Sequence, residues 1–472
     1  MSISLPFFYD FAFPNYFLPN ALNPQMAIVN YIHNLHVGGA TTDSLFEKDV
    51  DNPKNVNHYV FGDSMGKWPQ SLRHNGTHLR YPCYREFVHI DEQAVFVGKQ
   101  NSNKKRYYYP IKSGPHLDEF LGHTHAGSKL NGEYFWRYIS REVLDDLKEG
   151  RALIYLDWAH ENFVSKSQYD ILHEQLRYSE IADKSIVFAF NSFNAKEIYE
   201  NWYSPTERKL DVVNWPFLLF HNSYHYRSDR EKRMDVDEFR ATKNTIRQNY
   251  GLFKIRRARS YRLALLYRLC TDNLLYRVDH SMLDNISLRH TQIFAEQFPY
   301  NYNWERIEEL HKKFPINLQS ETSKTFWDIS GWGDKTPIAN KNAYFDITCE
   351  TYMENDGYKS FTEKVSKPLV HFNPFFFVGF QGALQLLRDL GFKTFSPYID
   401  ESYDNEPNQA KRLDMIYNEI KRLLSMTPEE IHNWYWSMED ILIHNHNRML
   451  EFCKDDQYTM NLLTYLNFRV HS

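Results

Sequence analysis

The chain has 472 residues, of which 42% are hydrophobic and 16% aromatic, and a formal net charge of −5. That length exceeds one comfortable core and predicts two domains, while the aromatic share argues against long disorder. The acidic balance gives the whole molecule no bias toward polyanions, and no run of about 18 apolar residues marks a membrane span.

The apolar start, Leu5-Pro6-Phe7-Phe8-Tyr9, is interrupted by Asp10, Pro14 and Pro19. It also lacks a basic leading region and does not read as a signal peptide. Residues 1–115 read as an irregular extension rich in Asn, His, Pro and Tyr, with strand-like runs at 86–90, 94–97 and 106–110. From about residue 133 the pattern alternates. Phe135, Ile139, Val143, Leu144 and Leu147 fall at helical spacing before the apolar run 152–156. Tyr169, Ile171, Leu172 and Leu176 mark a second helix before the run 185–190. Helix, strand, helix, strand predicts βαβ units around a parallel sheet.

The charged run 227–247 reads as a solvated helix or a link near a domain boundary. A helix through Leu263, Leu266, Tyr267, Cys270 and Leu274 follows, then strands at 343–349 and 375–378. Leu384, Leu387, Arg388 and Leu390 form the next helix, which Gly391 stops in a left-handed C-cap position. Thr427-Pro428-Glu429-Glu430 is a capping box with proline at the first helical position. The helix it opens runs through Trp434, Met438, Ile441 and Met449 and is expected to end the fold. Cys83, Cys270, Cys349 and Cys453 form no CxxC pair and read as free, mostly buried thiols of a reducing compartment. A soluble, cytoplasmic protein is the expectation.

Four clusters carry possible chemistry. Arg256, Arg257, Arg259 and Arg262 stand at or just before a helix start, where cations oppose the helix dipole. Either an anion such as phosphate sits among them, or the face is simply solvated. Thr362 fits an N-cap that places Glu363 and Lys364 in a first turn, where Lys364 is electrostatically misplaced without a ligand anion. Lys367-Pro368 then puts proline where the helix needs an N–H. Gly379-Phe380-Gln381-Gly382 joins a strand to a helix, either as an ordinary turn or as a loop letting amides approach a phosphate. Asp157, His160 and Glu161 follow the strand at 152–156, at an edge where α/β proteins place catalytic groups. A general base or a helix cap with two solvated neighbours are the readings there.

Metal signals are weaker. His116, His123 and His125 precede that strand without a fixed ligand spacing, and His444 and His446 stand two apart on one helix. Asp235-Val236-Asp237 matches a short DxD pattern, but within a charged run rather than after a strand. No bound metal is expected.

Taken together, the segments 344–350, Gly357-Tyr358 and Phe361-Thr362-Glu363-Lys364 resemble the donor-site signature of α1,3-fucosyltransferase-like enzymes. The stretch 364–404, with Lys367-Pro368, Pro374-Phe375 and residues 400–404, is more similar to a glycosyltransferase-like subgroup frequent in large DNA phages, viruses and bacteria. The resemblance implies GT-B architecture: two Rossmann-like domains facing across a cleft, acceptor on the first and donor on the second. The expected division is 1–245 (extension 1–115, Rossmann-like part 116–245), 246–426 for the donor domain and 427–472 as C-terminal helices. A hinge is expected at 230–255.

The resemblance further implies that Lys364 and Arg262, with Arg259 and Lys367 nearby, hold a donor diphosphate, and that Glu363 meets the ribose. Glu350, Thr362 and Gly379 line the same site. The subgroup usually has Asn-Arg where this chain reads Lys254-Ile255-Arg256. The implied reaction needs no cofactor beyond a GDP- or UDP-sugar, and Glu161, with Asp157 and His160, is the expected base. A glycan hydroxyl is the expected acceptor. The alternative is a hydroxylated DNA base, met by a basic-aromatic patch at Lys104, Lys105, Arg106 and Tyr107, Tyr108 and Tyr109. A rival of another class is a metal-dependent hydrolase built on the N-terminal histidines. For a viral member, the host cytoplasm is the expected location.

Overall fold

The computed structural model describes residues 8–9, 95–96, 106–112, 141–158, 164–228, 230, 233–284, 286–289, 297–318, 338–353, 357–455 and 457–472. They belong to two compact α/β units. The first takes its residues from Met1–Leu218, Tyr358–Ser360 and Asp456–Ser472, and the second from Leu219–Gly357 and Phe361–Asp455. This membership differs from the linear division expected. The first crossing falls inside a helix, and the stretch expected as a hinge contributes a helix and a central strand to the second unit.

In the first unit β1 (Phe8–Tyr9) pairs in parallel with β2 (Val95–Phe96). A four-stranded parallel sheet runs in chain order through β3 (Tyr107–Lys112), β4 (Ala152–Trp158), β5 (Ile186–Phe190) and β6 (Asp211–Asn214). Helix α1 (Arg141–Lys148) precedes β4, α2 (Lys166–Tyr178) joins β4 to β5, and α3 (Ala195–Trp202) joins β5 to β6. Every residue of β5 is buried, which is why its sequence is a continuous apolar run rather than an alternation. Ser165 starts α2 through a capping box with Gln168. The last helix, Gln457–His471, also belongs here: Leu466 accepts from the Tyr108 hydroxyl at 2.8 Å, and Arg469 pairs with Asp211 at 2.8 Å.

The chain enters the second unit within α4 (Phe217–Ser228). Then come α5 (Val236–Ala241), β7 (Asn249–Ile255), α6 (Ser260–Thr271), β8 (Val278–Met282), α7 (Trp304–His311) and α8 (Ile338–Lys341). After them stand β9 (Ala343–Cys349), α9 (Glu363–Val370), β10 (Phe375–Val378), α10 (Ala383–Asp389), α11 (Gln409–Leu424), α12 (Pro428–Trp436) and α13 (Glu439–Glu451). The sheet is parallel, in the order β10-β9-β7-β8. From β7 the chain crosses to β8 on one side; from β9 it crosses to β10 on the other. Right-handed crossovers then put α6 and α9 on opposite faces and open a crevice at the carboxyl ends of β7 and β9.

Several local expectations change here. Of the two readings of the 227–247 run, the described residues bear out a largely solvated helix: α5 buries only Phe239, and 240–246 are exposed or half-buried. Asp235 caps α5, accepting from Glu238 N at 2.9 Å, so the DxD pattern is a capping box. Arg247 is buried, with its guanidinium 4.1 Å over the Tyr435 ring and bonded to Ala343 O. The helix expected through 428–449 is two helices, broken at Ser437, although Thr427 and Glu430 do form the capping box. Of the described cysteines Cys349 is buried, while Cys270 and Cys453 are half-buried.

Residues 400–404, part of the stretch that carries the resemblance, have a structural role. Asp404 is buried, and its carboxylate accepts from Leu384 N at 3.0 Å and Gln385 N at 3.1 Å, capping α10 from a distance. Asp404→Ala is expected to remove about 1–2 kcal/mol of stability, the cost of a lost cap. Urea unfolding is the measurement, and an unchanged midpoint would contradict the cap.

Candidate functional site

The crevice of the second sheet is built from the loop ends of β7 and β9 and the first turns of α6 and α9. Glu350 follows β9 and is 1% exposed. Its carboxylate accepts from Thr362 N at 2.9 Å, from Thr362 Oγ1 at 2.7 Å and from Thr351 N at 3.3 Å. Three donors on one buried carboxylate make Glu350 an acceptor clamp on the start of α9. Burial pushes its carboxyl up from the ordinary Glu value, opposed by the Lys364 charge and the two Thr362 bonds.

Thr362 is the N-cap of α9, as its sequence context predicts. Lys364 folds back over that cap: Nζ lies 3.1 Å from Thr362 Oγ1, 3.1 Å from Glu363 Oε1 and 3.4 Å from Thr351 Oγ1. Glu363 and Lys364 keep 21% and 28% of their side chains exposed. Burial works to raise the Glu363 carboxyl, but the Lys364 and Lys367 charges overcome it and hold the group at about 2. Glu363 is therefore charged at every working pH. One turn deeper, Lys367 is buried and its ammonium is pushed down to about 8, first by burial and then by Lys254. Lys254 reaches Asp346 at 3.4 Å and Asn340 Oδ1 at 3.2 Å. Pro368 sits inside α9, which ends two residues later at Val370.

On the other wall Arg259 is the N-cap of α6, but no side chain caps this helix. Its guanidinium lies 5.2 Å from the Tyr352 ring centroid. Arg262 is committed inside the protein instead. It is buried, donating to Arg257 O at 3.1 Å, Cys349 O at 3.2 Å and Glu350 O at 2.6 Å. Tyr261 adds a second bond to Glu350 O. Arg262 thus ties the β7 and β9 ends together, a different use from the phosphate contact expected of it. Between these parts opens a cleft of about 860 Å³, whose lining includes Arg259, Tyr261, Thr351, Tyr352, Phe298 and Asn408. Thr351 belongs both to the cleft and to the Lys364 contacts.

No protein-family model, curated protein or solved structure matches the chain.

Gly379 has a packing role: an added Cβ would lie 2.5 Å from Phe377 Cε1 and 3.2 Å from Glu350 Cβ. The expected amide cradle at α10 differs too, because Asp404 already takes the Leu384 and Gln385 amides. In the first unit Asp157 is the penultimate residue of β4, in register with Lys112 and Ala189. His160, Glu161, His116, His123, His125, Lys104 and Lys105 lie outside the described residues. The basic-aromatic patch loses two rings, since Tyr107 and Tyr108 are buried and their hydroxyls bond Asp146 and Leu466 O. His444 and His446 bond separate carbonyls, Gly391 O and Val370 O. Among the described residues no group of three or more His, Cys, Asp or Glu converges for a metal, and no helix is long and apolar enough to cross a membrane.

Sequence reasoning missed Tyr261, Thr351 and Tyr352. The only available signal was their position beside the arginine cluster and Glu350, the two strand ends that flank the switch point.

Proposed function

We propose that the cleft of the second unit binds the nucleoside diphosphate of a sugar donor and that the protein is a glycosyltransferase of GT-B type. The observation that carries this reading is the coincidence of a large cleft with the switch point of a parallel sheet, where α/β proteins bind nucleotides. Two features favour a phosphorylated ligand. The first turn of α6 has no side-chain cap, leaving its amides for an anion, and Arg259 stands at that turn. Lys364 adjoins the cleft at Thr351 and carries a positive charge at the start of α9, where an anion compensates it.

In the proposed reaction the anomeric carbon leaves a diphosphate, so charge grows on the leaving oxygens. Lys364, Arg259 and the α6 amides would stabilise that charge from fixed positions. Glu363, ionised throughout, suits the ribose hydroxyls. Arg262 and Glu350 act by holding the loops. The segment with Asp157, His160 and Glu161 is the proposed source of the base toward the acceptor hydroxyl, a glycan in this reading. The fucosyltransferase-like resemblance of the 350–364 region is a separate line of support, drawn from sequence alone.

The test is a thermal-shift screen with GDP-, UDP- and dTDP-sugars. A binder present at about 100 times its Kd stabilises by about 2.7 kcal/mol and raises Tm visibly. Lys364→Ala is expected to abolish that rise. If Lys364→Ala and Glu363→Ala leave every nucleotide-sugar response unchanged, the site is elsewhere.

A further inference from the structure

Beneath α9 the second unit carries a charged cluster that the cleft does not use. The register pairs Leu252 of β7 with Asp346 of β9, so Lys254, Asp346 and Thr348 fall on one face of the sheet. Lys367 and His371, four positions apart at the end of α9, share one side of the helix, and both are buried. Helix α8 supplies Asn340, which is fully buried. All these residues belong to the second unit.

The cluster holds more positive charge and more donors than its own acceptors answer. Lys254 Nζ lies 3.2 Å from Asn340 Oδ1 and 3.4 Å from Asp346 Oδ2, while Asp346 Oδ1 accepts from Thr348 Oγ1 at 2.9 Å. The other carboxylate acting on Lys367 is Glu363, which is shared with Lys364 at 3.1 Å. Three ammonium groups, Lys254, Lys364 and Lys367, thus meet two carboxylates. Two buried side chains keep nitrogens that meet nothing among the described residues: Asn340 Nδ2 and both ring nitrogens of His371. A buried donor left without an acceptor costs its full desolvation. After burial, the influences on His371 are Lys254, His446, Lys367 and Lys341, each acting as a positive charge. Lys254 comes first among them, so Asn340 and His371 surround the same ammonium. Surroundings of that sign disfavour a metal cation and favour an anion.

We infer that this cluster binds a small, singly charged anion of the size of chloride, held by Lys254 Nζ, Asn340 Nδ2 and the His371 ring. Ammonium, amide and imidazole N–H all donate, so the ligand needs no proton of its own. The anion supplies the acceptor that both buried side chains lack and offsets the excess positive charge. The site stands apart from the cleft and does not depend on the nucleotide reading.

Thermal melts of the full chain in sodium chloride and in sodium gluconate, at equal ionic strength, test it. Gluconate is too large for a site of one atom. At about ten times its Kd, chloride is expected to raise Tm by about 3–6 °C, and the rise saturates. Asn340→Asp keeps the oxygen that faces Lys254 and puts negative charge in place of the free amide nitrogen, so the rise is expected to vanish. Lys254→Met is expected to lose it as well. Equal Tm in the two salts overturns the inference, and so does a rise that persists in either variant, which places the anion elsewhere. Should neither variant fold, crystals of the unsubstituted protein grown in bromide decide. An anomalous peak beside Lys254 Nζ and the His371 ring is expected, and none there overturns the site.

Discussion

Glu350→Ala is expected to be the most damaging single substitution in the second unit, lowering its stability by about 3 kcal/mol or more and abolishing nucleotide binding. The carboxylate is 1% exposed and satisfies Thr362 N, Thr362 Oγ1 and Thr351 N. Alanine leaves these donors facing a cavity, at about 1–3 kcal/mol for a buried donor that finds no other partner. It also removes a negative charge that interacts with Lys364, the first of the influences opposing the effect of burial on Glu350. Glu350→Gln separates these contributions. The amide keeps an acceptor for Thr362 N, but its NH₂ then faces the Thr351 amide, and the charge is gone. A smaller loss of about 1 kcal/mol is expected, with nucleotide affinity still reduced. Urea unfolding followed by tryptophan fluorescence, with circular dichroism to confirm folding, measures both. If Glu350→Ala unfolds at the wild-type midpoint, the clamp does not hold α9.

The contrast with Arg262 shows where sequence reasoning stops. Thr362 and Thr427 were legible as caps because capping is local: donor and acceptor lie within three residues. The apolar runs of β5, β9 and β10 were legible because strands of a covered parallel sheet bury both faces. Strands β7 and β8 were not. Asn249–Ile255 contains Lys254, whose charge is met by Asp346, and Gly251, which admits the Phe345 ring. Val278–Met282 contains Asp279 and His280. The partners of Lys254 and Gly251 come from elsewhere in the chain, and no periodicity reveals them. With β7 hidden, the switch point was hidden as well.

The same limit applies to function. An arginine at a helix start fits phosphate binding and main-chain bracing equally well, and only the acceptors decide. Arg262 meets carbonyls at 2.6–3.2 Å, whereas Arg259, three residues earlier, lines the cleft. The role of Asp404 is not legible in the sequence because its partners, Leu384 and Gln385, lie about twenty positions away. Asn194 carried no signal whatever, since its Oδ1 accepts from Lys359 N, 165 positions away.

Acid is expected to destabilise the fold well before its carboxylates titrate. Five histidines have imidazoles held below the ordinary value near 6.5, with burial as the first cause in each. His446 is held at about 4: burial lowers it, its bond to Val370 O opposes that, and Arg233 adds to the depression. Its ring stacks on Phe372 at 4.2 Å. His371 is fully buried, and neither ring nitrogen has a hydrogen-bond partner among the described residues. After burial, the charges of Lys254, His446 and Lys367 keep it well below 6.5.

The sign follows from linkage. With the folded value depressed, the unfolded chain binds more protons below pH 6.5, so stability is full above that pH and is lost as pH falls. At pH 5 His446 alone accounts for about 1.5 pKa units, or about 2 kcal/mol. Glu350 and Glu401 work in the opposite direction, because their carboxyls, raised first by burial, take up protons in the folded state first, but they are two groups against five. Thermal melts from pH 8 to pH 5 should therefore show Tm falling steeply below about 6.5. His371→Leu removes one of these titrations together with an unpartnered polar ring, so it is expected to hold or raise Tm at pH 7 and to flatten the acid limb. An acid limb identical to that of the unsubstituted protein would show that His371 takes up no proton on unfolding.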